Sequence, residues 1–457
     1  VTLGNFRFTS RQLTRGVPVL GVLPSLAKDP MQFLTELAHH AGDVAETRFF
    51  MGKPVFVVTG PEAIEQVLVS NHKLFTRLPS PLELVLGQGL LTTEGAVWQR
   101  QAILCKDAFA LKNLDQYVPT ILERTHLFEA HFASHLVGRD FFNLSDELMR
   151  LTYEIISRAL FSDIPKASDA IVQEAVIELL HFIEWYGFLP FPLPTWLPLP
   201  KLLRYKQQLR RVHAVAESLV EDHLKTPEKY NDFLMHLIRA KNRDTGEQLS
   251  RQEIRDQVLT FLLVGHETTA IMLSWTLAFL FTHPEVLAKV DAELASFDPS
   301  RVTQLKEVFR LEYTMSVIME SMRLRSPTWS INRTAVAATE LAGTKIPKGA
   351  FIMIPQYVIH RTNKLWPDSL IFDPDRFSKQ RRGTLVKNAY LPFGLGPRSC
   401  VGEDFSLLEG TLILAMLVKR FRFEIASHPE LTGVPLVTYR PKFGVWARVR
   451  DRSAATT

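Results

Sequence analysis

Cysteine is scarce: Cys105 and Cys400 are the only two in 457 residues. Two thiols so far apart make a poor disulfide framework, which excludes the small cross-linked secreted scaffolds and fits a reducing, cytoplasmic compartment. Long uninterrupted apolar runs are lacking as well. Leu259 to Phe281 is broken by His266, Glu267 and two threonines, and Leu407 to Val418 by Glu409 and Gly410, so neither reads as a membrane span. No signal peptide precedes Asn5, although a chain beginning at Val1 leaves room for a trimmed leader. No Gly/Ser-rich or charge-dense linker, repeat or low-complexity tract divides the sequence, and a single domain over residues 1–457 is expected. The net charge of +5 comes with no nucleic-acid recognition motif, so a nucleic-acid partner is not indicated.

What is present points to a large apolar interior. With 46% hydrophobic residues and 30 Phe, the chain can bury a sizeable core and still line an apolar pocket. Helical periodicity is predicted near Met31 to His40 and through Glu123 to Phe132, Glu147 to Phe161, Ala170 to Ile183 and Gln207 to His223. Val44 to Phe50 and Pro54 to Val58, parted by Met51-Gly52-Lys53, predict a hairpin. Further β-type segments lie near Glu340 to Ile354 and Leu436 to Val449. The fold class is therefore mainly α with small β-sheets. Cys105 is expected simply to pack.

Cys400 stands in the run Phe393-Gly394-Leu395-Gly396-Pro397-Arg398-Ser399-Cys400-Val401-Gly402, just ahead of an apolar helical stretch. Gly394, Gly396 and Gly402 permit close backbone approach, and amides near the sulfur can hydrogen-bond a thiolate. Arg398 is a permanent cation suited to a carboxylate. The plain alternative is a structural cysteine at a tight turn. A second constellation is Val264-Gly265-His266-Glu267-Thr268-Thr269, inside a long helical pattern. Glycine in a helix interior costs roughly 1 kcal/mol relative to alanine, so Gly265 needs a reason, and room beside a cofactor is one. Glu267 and Thr268 form an acid and alcohol pair suited to moving protons; alone, the segment also reads as a polar stripe facing solvent. A third is Glu320-Ser321-Met322-Arg323, with Pro374-Asp375-Arg376-Phe377 downstream; Glu320 and Arg323 meet on one helix face.

The spacing of Phe393, Gly396, Arg398, Cys400 and Gly402 resembles the haem-binding signature of the cytochrome P450 family, and the resemblance extends over nearly the whole chain. It implies a triangular, mostly α single domain binding haem b, with Cys400 as the iron ligand, and an oxidoreductase of the monooxygenase class. Thiolate ligation favours breaking the O–O bond over carrying the gas. Dioxygen is the implied co-substrate, hydroxylation of a C–H bond the reaction, and Glu267 and Thr268 the implied proton-delivery pair. Glu320, Arg323 and Arg376 would form the family's structural ion network, fixing the cysteine loop. Trp98, Arg333 and Arg398 would reach the haem propionates. Two positions depart from the pattern: Ala102 stands where an arginine is usual, which puts one propionate contact in doubt, and Val264 where a smaller residue is usual.

Segments aligned with substrate pockets in the family supply Leu84, Leu86, Val264, Trp329, Ser330, Ile331 and Phe443, nearly all apolar or weakly polar. The chain is similar to soluble bacterial hydroxylases of fatty acids and carotenoids, which implies a long-chain, terpenoid or carotenoid substrate. Phe188 to Pro200, followed by Lys201, Arg204 and Lys206, aligns with the family's access-channel cover; it reads either as a peripheral membrane contact or as a lid packed on its own protein. Electrons must come from a separate donor, a ferredoxin or flavodoxin with its reductase. Arg100, Lys106, Lys379, Arg381, Arg382 and Lys387 read either as a basic docking face or as ordinary solvated surface. A monomer is expected. The rival readings are a peroxide-driven hydroxylase, whose members commonly lose the acid and alcohol pair, and a non-catalytic haem carrier or sensor, which would have no use for one.

Overall fold

The computed structural model describes residues 8–77, 80–162, 166–187, 189, 192–242, 245–426 and 431–452. The chain gathers into two compact units, one built from Val1–Leu78, Ser316–Cys400 and Thr432–Lys442, the other from Pro79–Met315, Val401–Leu431 and Phe443–Thr457.

The first unit holds most of the β structure. Val44–Arg48 and Pro54–Val58 pair antiparallel through a tight turn at Phe50–Gly52. Phe351–Ile354 then adds in parallel to Pro54–Val58, and Ile331–Ala335 and Phe75–Thr76 complete a five-stranded sheet. Helix Pro30–Ala41 lies against it. Its start is set by Asp29, whose carboxylate accepts from the Gln32 amide, with proline at the first position; Gly42 at φ 78° ends it. Its apolar stripe, Phe33, Leu34 and Leu37, packs with Ala45, Val57 and Met353 into one core.

The second unit is helical. The long helix Arg251–Thr282 opens on a reciprocal capping box between Ser250 and Glu253 and packs against Leu144–Phe161, Pro200–Lys225 and Glu403–Arg420. It is long and apolar enough to cross a membrane, but 78% of its most apolar window is buried inside the protein, which accounts for its hydrophobicity. Val118–His135, Lys166–Gly187 and Pro200–Lys225 contain the periodic segments predicted for them. A three-stranded sheet joins Phe142–Asn143, Trp446–Asp451 and Phe421–Ile425. The last of these was not foreseen, although Phe421 and Phe423 point inward while Arg422 and Glu424 do not, the alternation of a half-buried strand.

Candidate functional site

In the first unit, the Cys400 loop is closed by two backbone bonds, from the Gly394 amide to the Leu391 carbonyl at 3.0 Å and from the Cys400 amide to the Phe393 carbonyl at 2.8 Å. Gly394 and Gly396 have φ of 78° and 74°, and a Cβ on Gly396 would lie 2.2 Å from the Leu68 carbonyl oxygen. Only glycine serves there. The loop delivers Cys400 to an exposed position, whereas Cys105 is buried and its thiol is pushed up to about 12 by desolvation. Cys400 is thus the accessible sulfur, and the packing role expected of Cys105 agrees with its burial.

Three side chains behind the loop come together with full burial. Arg323 Nε and Nη2 donate to the two Glu320 oxygens at 2.7 and 2.8 Å, and Arg376 Nε donates to Glu320 Oε1 at 3.3 Å. The guanidiniums spend their other hydrogens on backbone carbonyls: Arg323 on His360, Ser369 and Ile371, Arg376 on Pro367 and Asp368. Such saturation is what lets charges stay buried. No sequence motif marks His360 and Gln356, which brace the cysteine loop, His360 also joining it to this network. The Leu391 amide donates to His360 Nε2 at 2.8 Å, and the Gln356 amide donates to the Leu391 carbonyl. An imidazole accepting at Nε2 must be neutral, and burial with Arg323 nearby lowers its pKa to about 3.

Arg333 lies half-buried on strand Ile331–Ala335, opposite Ile352, and donates to the Asn332 carbonyl at 2.9 Å. Trp329, Ser330 and Ile331 lead into that strand; the Trp329 indole N–H is committed to the Leu436 carbonyl at 2.9 Å, and Ser330 donates to Asn332.

In the second unit, Glu267 is buried and Thr268 half-buried on the long helix, where Thr268 Oγ1 donates to the Val264 carbonyl at 3.0 Å. Gly265 also has a packing reason. A Cβ there would lie 3.0 Å from Ile156 Cγ1, so the glycine admits the side chain of the neighbouring helix Leu144–Phe161. His266 is fully buried, donating from Nδ1 to the Leu262 carbonyl, and its pKa falls to about 4 by desolvation. One further residue escaped the sequence reading. Glu409, on helix Glu403–Arg420, is 1% exposed, and neither carboxyl oxygen has a hydrogen-bond partner among the described residues. Burial drives its pKa well above the usual carboxylate range, opposed only by the Thr269 hydroxyl, which itself lies 3.3 Å from Ser406 Oγ. Its carboxyl is thereby pushed toward the uncharged form, beside the residue after Thr268.

Also in this unit, Trp98 is half-buried on helix Gly95–Ala108 and Ala102 is buried. Leu84 is half-buried and Leu86 fully buried on Leu82–Leu86, Val264 is half-buried, and Phe443 is 52% exposed. Gly402 accepts from the Ser406 amide at the start of the Glu403–Arg420 helix.

The family model described as cytochrome P450 matches residues 12–442. This chain belongs to the cytochrome P450 family. It is 34% identical over 433 residues to cyclooctatin synthase of Streptomyces melanosporofaciens, covering 92% of this chain and 93% of that one. Pentalenene oxygenase of Streptomyces avermitilis is 28% identical, with 96% of each chain covered. Among solved structures, a cytochrome P450DA heme domain superposes with a TM-score of 0.84 at 24% identity, covering 93% of each chain, and another cytochrome P450, CYP102L1, with a TM-score of 0.82 at 26% identity, covering 93% and 94%. The protein is a P450 monooxygenase: an oxidoreductase that binds haem, uses dioxygen, and acts on small hydrophobic substrates with electrons from a redox partner. The cysteine loop fits the cofactor, since a presented thiol in a glycine-lined turn is the donor this haem chemistry needs.

Two surface readings look different on this P450. Arg100 is spent inside the second unit, donating to the Gln248 carbonyl and the Glu253 carboxylate, which removes it from a docking face because its charge is matched. Lys379, Arg381, Arg382 and Lys387 are exposed, although Arg381 pairs with Asp373 at 2.8 Å. Of the proline-rich cover, Phe188, Pro190 and Phe191 lie outside the described residues; Trp196 is 74% exposed, and Lys201 lies over the Trp185 ring at 4.8 Å.

Proposed function

We propose that this P450 hydroxylates a cyclic terpenoid, with haem b as cofactor and a ferredoxin or flavodoxin, served by a reductase, as electron donor. The substrate class rests on similarity along nearly the whole chain to relatives named for cyclooctatin, cyclooctat-9-en-7-ol and pentalenene. Cys400 would hold the haem iron, Arg398, Arg333 and Trp98 the propionates, and Phe393, Gly394 and Gly402 would shape the surroundings of the sulfur. When bound, the haem supplies the activation of dioxygen.

The chain's own part is orientation and proton movement. The Thr268 hydroxyl can exchange its bond to Val264 for one to a water, and the buried Glu267 carboxyl can pass it a proton. That pair supports the dioxygen-driven reading over the peroxide-driven one. Leu84, Leu86, Val264, Trp329, Ser330 and Ile331 would offer the substrate an apolar wall with few polar handles, and exposed Phe443 an outer edge to it. We further infer that the chain works as one domain, since the family match runs through segments of both units. A monomeric, cytoplasmic enzyme, with any membrane contact made through the apolar segment around Trp196, completes the reading.

The test is an optical titration of the ferric enzyme with pentalenene, cyclooctat-9-en-7-ol, a long-chain fatty acid and a carotenoid. A saturable low-to-high-spin shift with a cyclic terpenoid is expected; a shift confined to the fatty acid overturns the substrate class. Cys400→Ala should abolish the thiolate-type spectrum of the reduced carbon monoxide complex, and retention of that spectrum overturns the ligand assignment.

A further inference from the structure

We propose that Asp256, with Gly87 and Gln257, is a specificity-determining latch that fixes the loop after Leu86 onto the long helix and so makes the Leu84–Leu90 wall of the substrate pocket rigid. The inference rests on the reading above only in taking that wall as substrate-facing; the latch itself lies wholly within the second unit.

Two successive residues of the long helix each accept a backbone amide from the loop. The Gln88 amide donates to Asp256 Oδ2 at 2.8 Å and the Leu90 amide to Gln257 Oε1 at 3.0 Å. Asp256 is 1% exposed and Gln257 fully buried. A bond from a backbone amide to a buried carboxylate is charge-assisted and shielded from water, the strong kind. Asp256 is itself held in place, since Arg255 donates to its Oδ1 from Nε and Nη2 at 3.0 and 2.9 Å and pairs with Glu217 of helix Pro200–Lys225 at 3.4 Å.

The loop's composition answers to this contact. A Cβ on Gly87, at φ 55°, would lie 2.4 Å from Asp256 Oδ2, and one on Gly89 would lie 2.0 Å from Thr260 Oγ1. Both glycines therefore let the backbone come down onto the helix. Other bonds hold the flanks: Tyr205 Oη donates to the Leu84 carbonyl at 2.7 Å, Gln101 Nε2 to the Gln88 carbonyl at 2.9 Å, and Thr93 Oγ1 to Gln101 Oε1 at 2.8 Å. Val264 follows Asp256 by eight residues, about 12 Å along the same helix at 1.5 Å per residue, so the latch and the acid and alcohol pair share one rigid rod. A wall pinned at this many points cannot reshape itself around a ligand. It selects by shape.

The experiment uses the haem-loaded enzyme, with Asp256→Ala and, should that variant fold poorly, Gly87→Ala, whose new methyl group would displace the carboxylate. Amide hydrogen exchange at Gln88 and Leu90 is expected to speed up by about tenfold or more, with protection of the long helix beyond Thr260 unchanged. Binding is read from the Soret shift with two probes, imidazole, which needs little beyond the iron, and clotrimazole, which must also fit the wall. Clotrimazole affinity should change by about tenfold or more and imidazole affinity by less than about twofold. Unchanged exchange at Gln88 and unchanged clotrimazole affinity in both variants overturn the latch. If neither probe shifts the wild-type spectrum, the haem reading itself fails, while the exchange measurement still judges the latch by itself.

Discussion

Single residues carry the chemistry here, and their behaviour follows from burial. Thr268 donates to a carbonyl of its own helix, a bond it can give up without leaving a buried orphan, because helical carbonyls keep their backbone partner. Thr268→Ala should leave the fold intact and uncouple electron flow into peroxide; with a reconstituted donor, NAD(P)H consumption without matching product checks this, and preserved coupling removes the role. His266 and Glu409 give opposite pH signatures. Burial holds His266 neutral with a pKa near 4, below its ordinary 6.5, so its contribution is complete above pH 6.5 and is lost as pH falls toward 4, by about 3 kcal/mol in all. Burial raises the pKa of Glu409, so its contribution is complete below its ordinary 4.5 and declines as pH rises above that value. Urea midpoints measured from pH 4 to 8 should show a shallower acid-side slope in His266→Gln, with the remainder carried by His360, and rise relative to wild type at neutral pH in Glu409→Gln.

At the scale of elements, the cysteine loop depends on a chain of bonds that begins outside it. Glu320 and Arg323 share one helix, Arg323 reaches the His360 carbonyl, and His360 receives the Leu391 amide two residues before Phe393. Removing one member of a buried ion pair costs about 3–5 kcal/mol because the partner charge is stranded. Arg323→Ala should therefore fail to retain haem or unfold early. His360→Ala is milder and more telling. It should keep the ion network and the overall fold by circular dichroism, yet broaden or blue-shift the reduced carbon monoxide band as the thiolate position loosens; an unaltered band would show that Gln356 and the glycine turn hold the loop alone. The network's three members were legible as a resemblance, but His360 and Gln356 were not. Nothing in the local pattern of Gln356-Tyr357-Val358-Ile359-His360 marks either as the partner of a residue more than thirty positions away.

For the whole molecule, the residues that the monooxygenase reading needs come from both compact units. Cys400, Arg398 and Arg333 belong to the first; Glu267, Thr268, Trp98 and Gly402 belong to the second. If the chain works as one domain, calorimetry of the haem-loaded enzyme should give a single transition whose van't Hoff and calorimetric enthalpies agree. Two resolved transitions would mean that the units fold separately and would overturn the single-domain reading.

Composition and spacing by themselves determined the class of fold and singled out Cys400, Glu267 and Thr268 as candidates, because those depend on period, glycine placement and residue chemistry, all local properties of the chain. Tertiary structure decided the rest. It set Gly265 against Ile156, committed Arg100 to Glu253, raised the pKa of Glu409, and set Asp256 under the Gly87 loop. Each of these turns on which distant side chain arrives at a given point and on how much water it displaces, and a linear pattern carries no record of either.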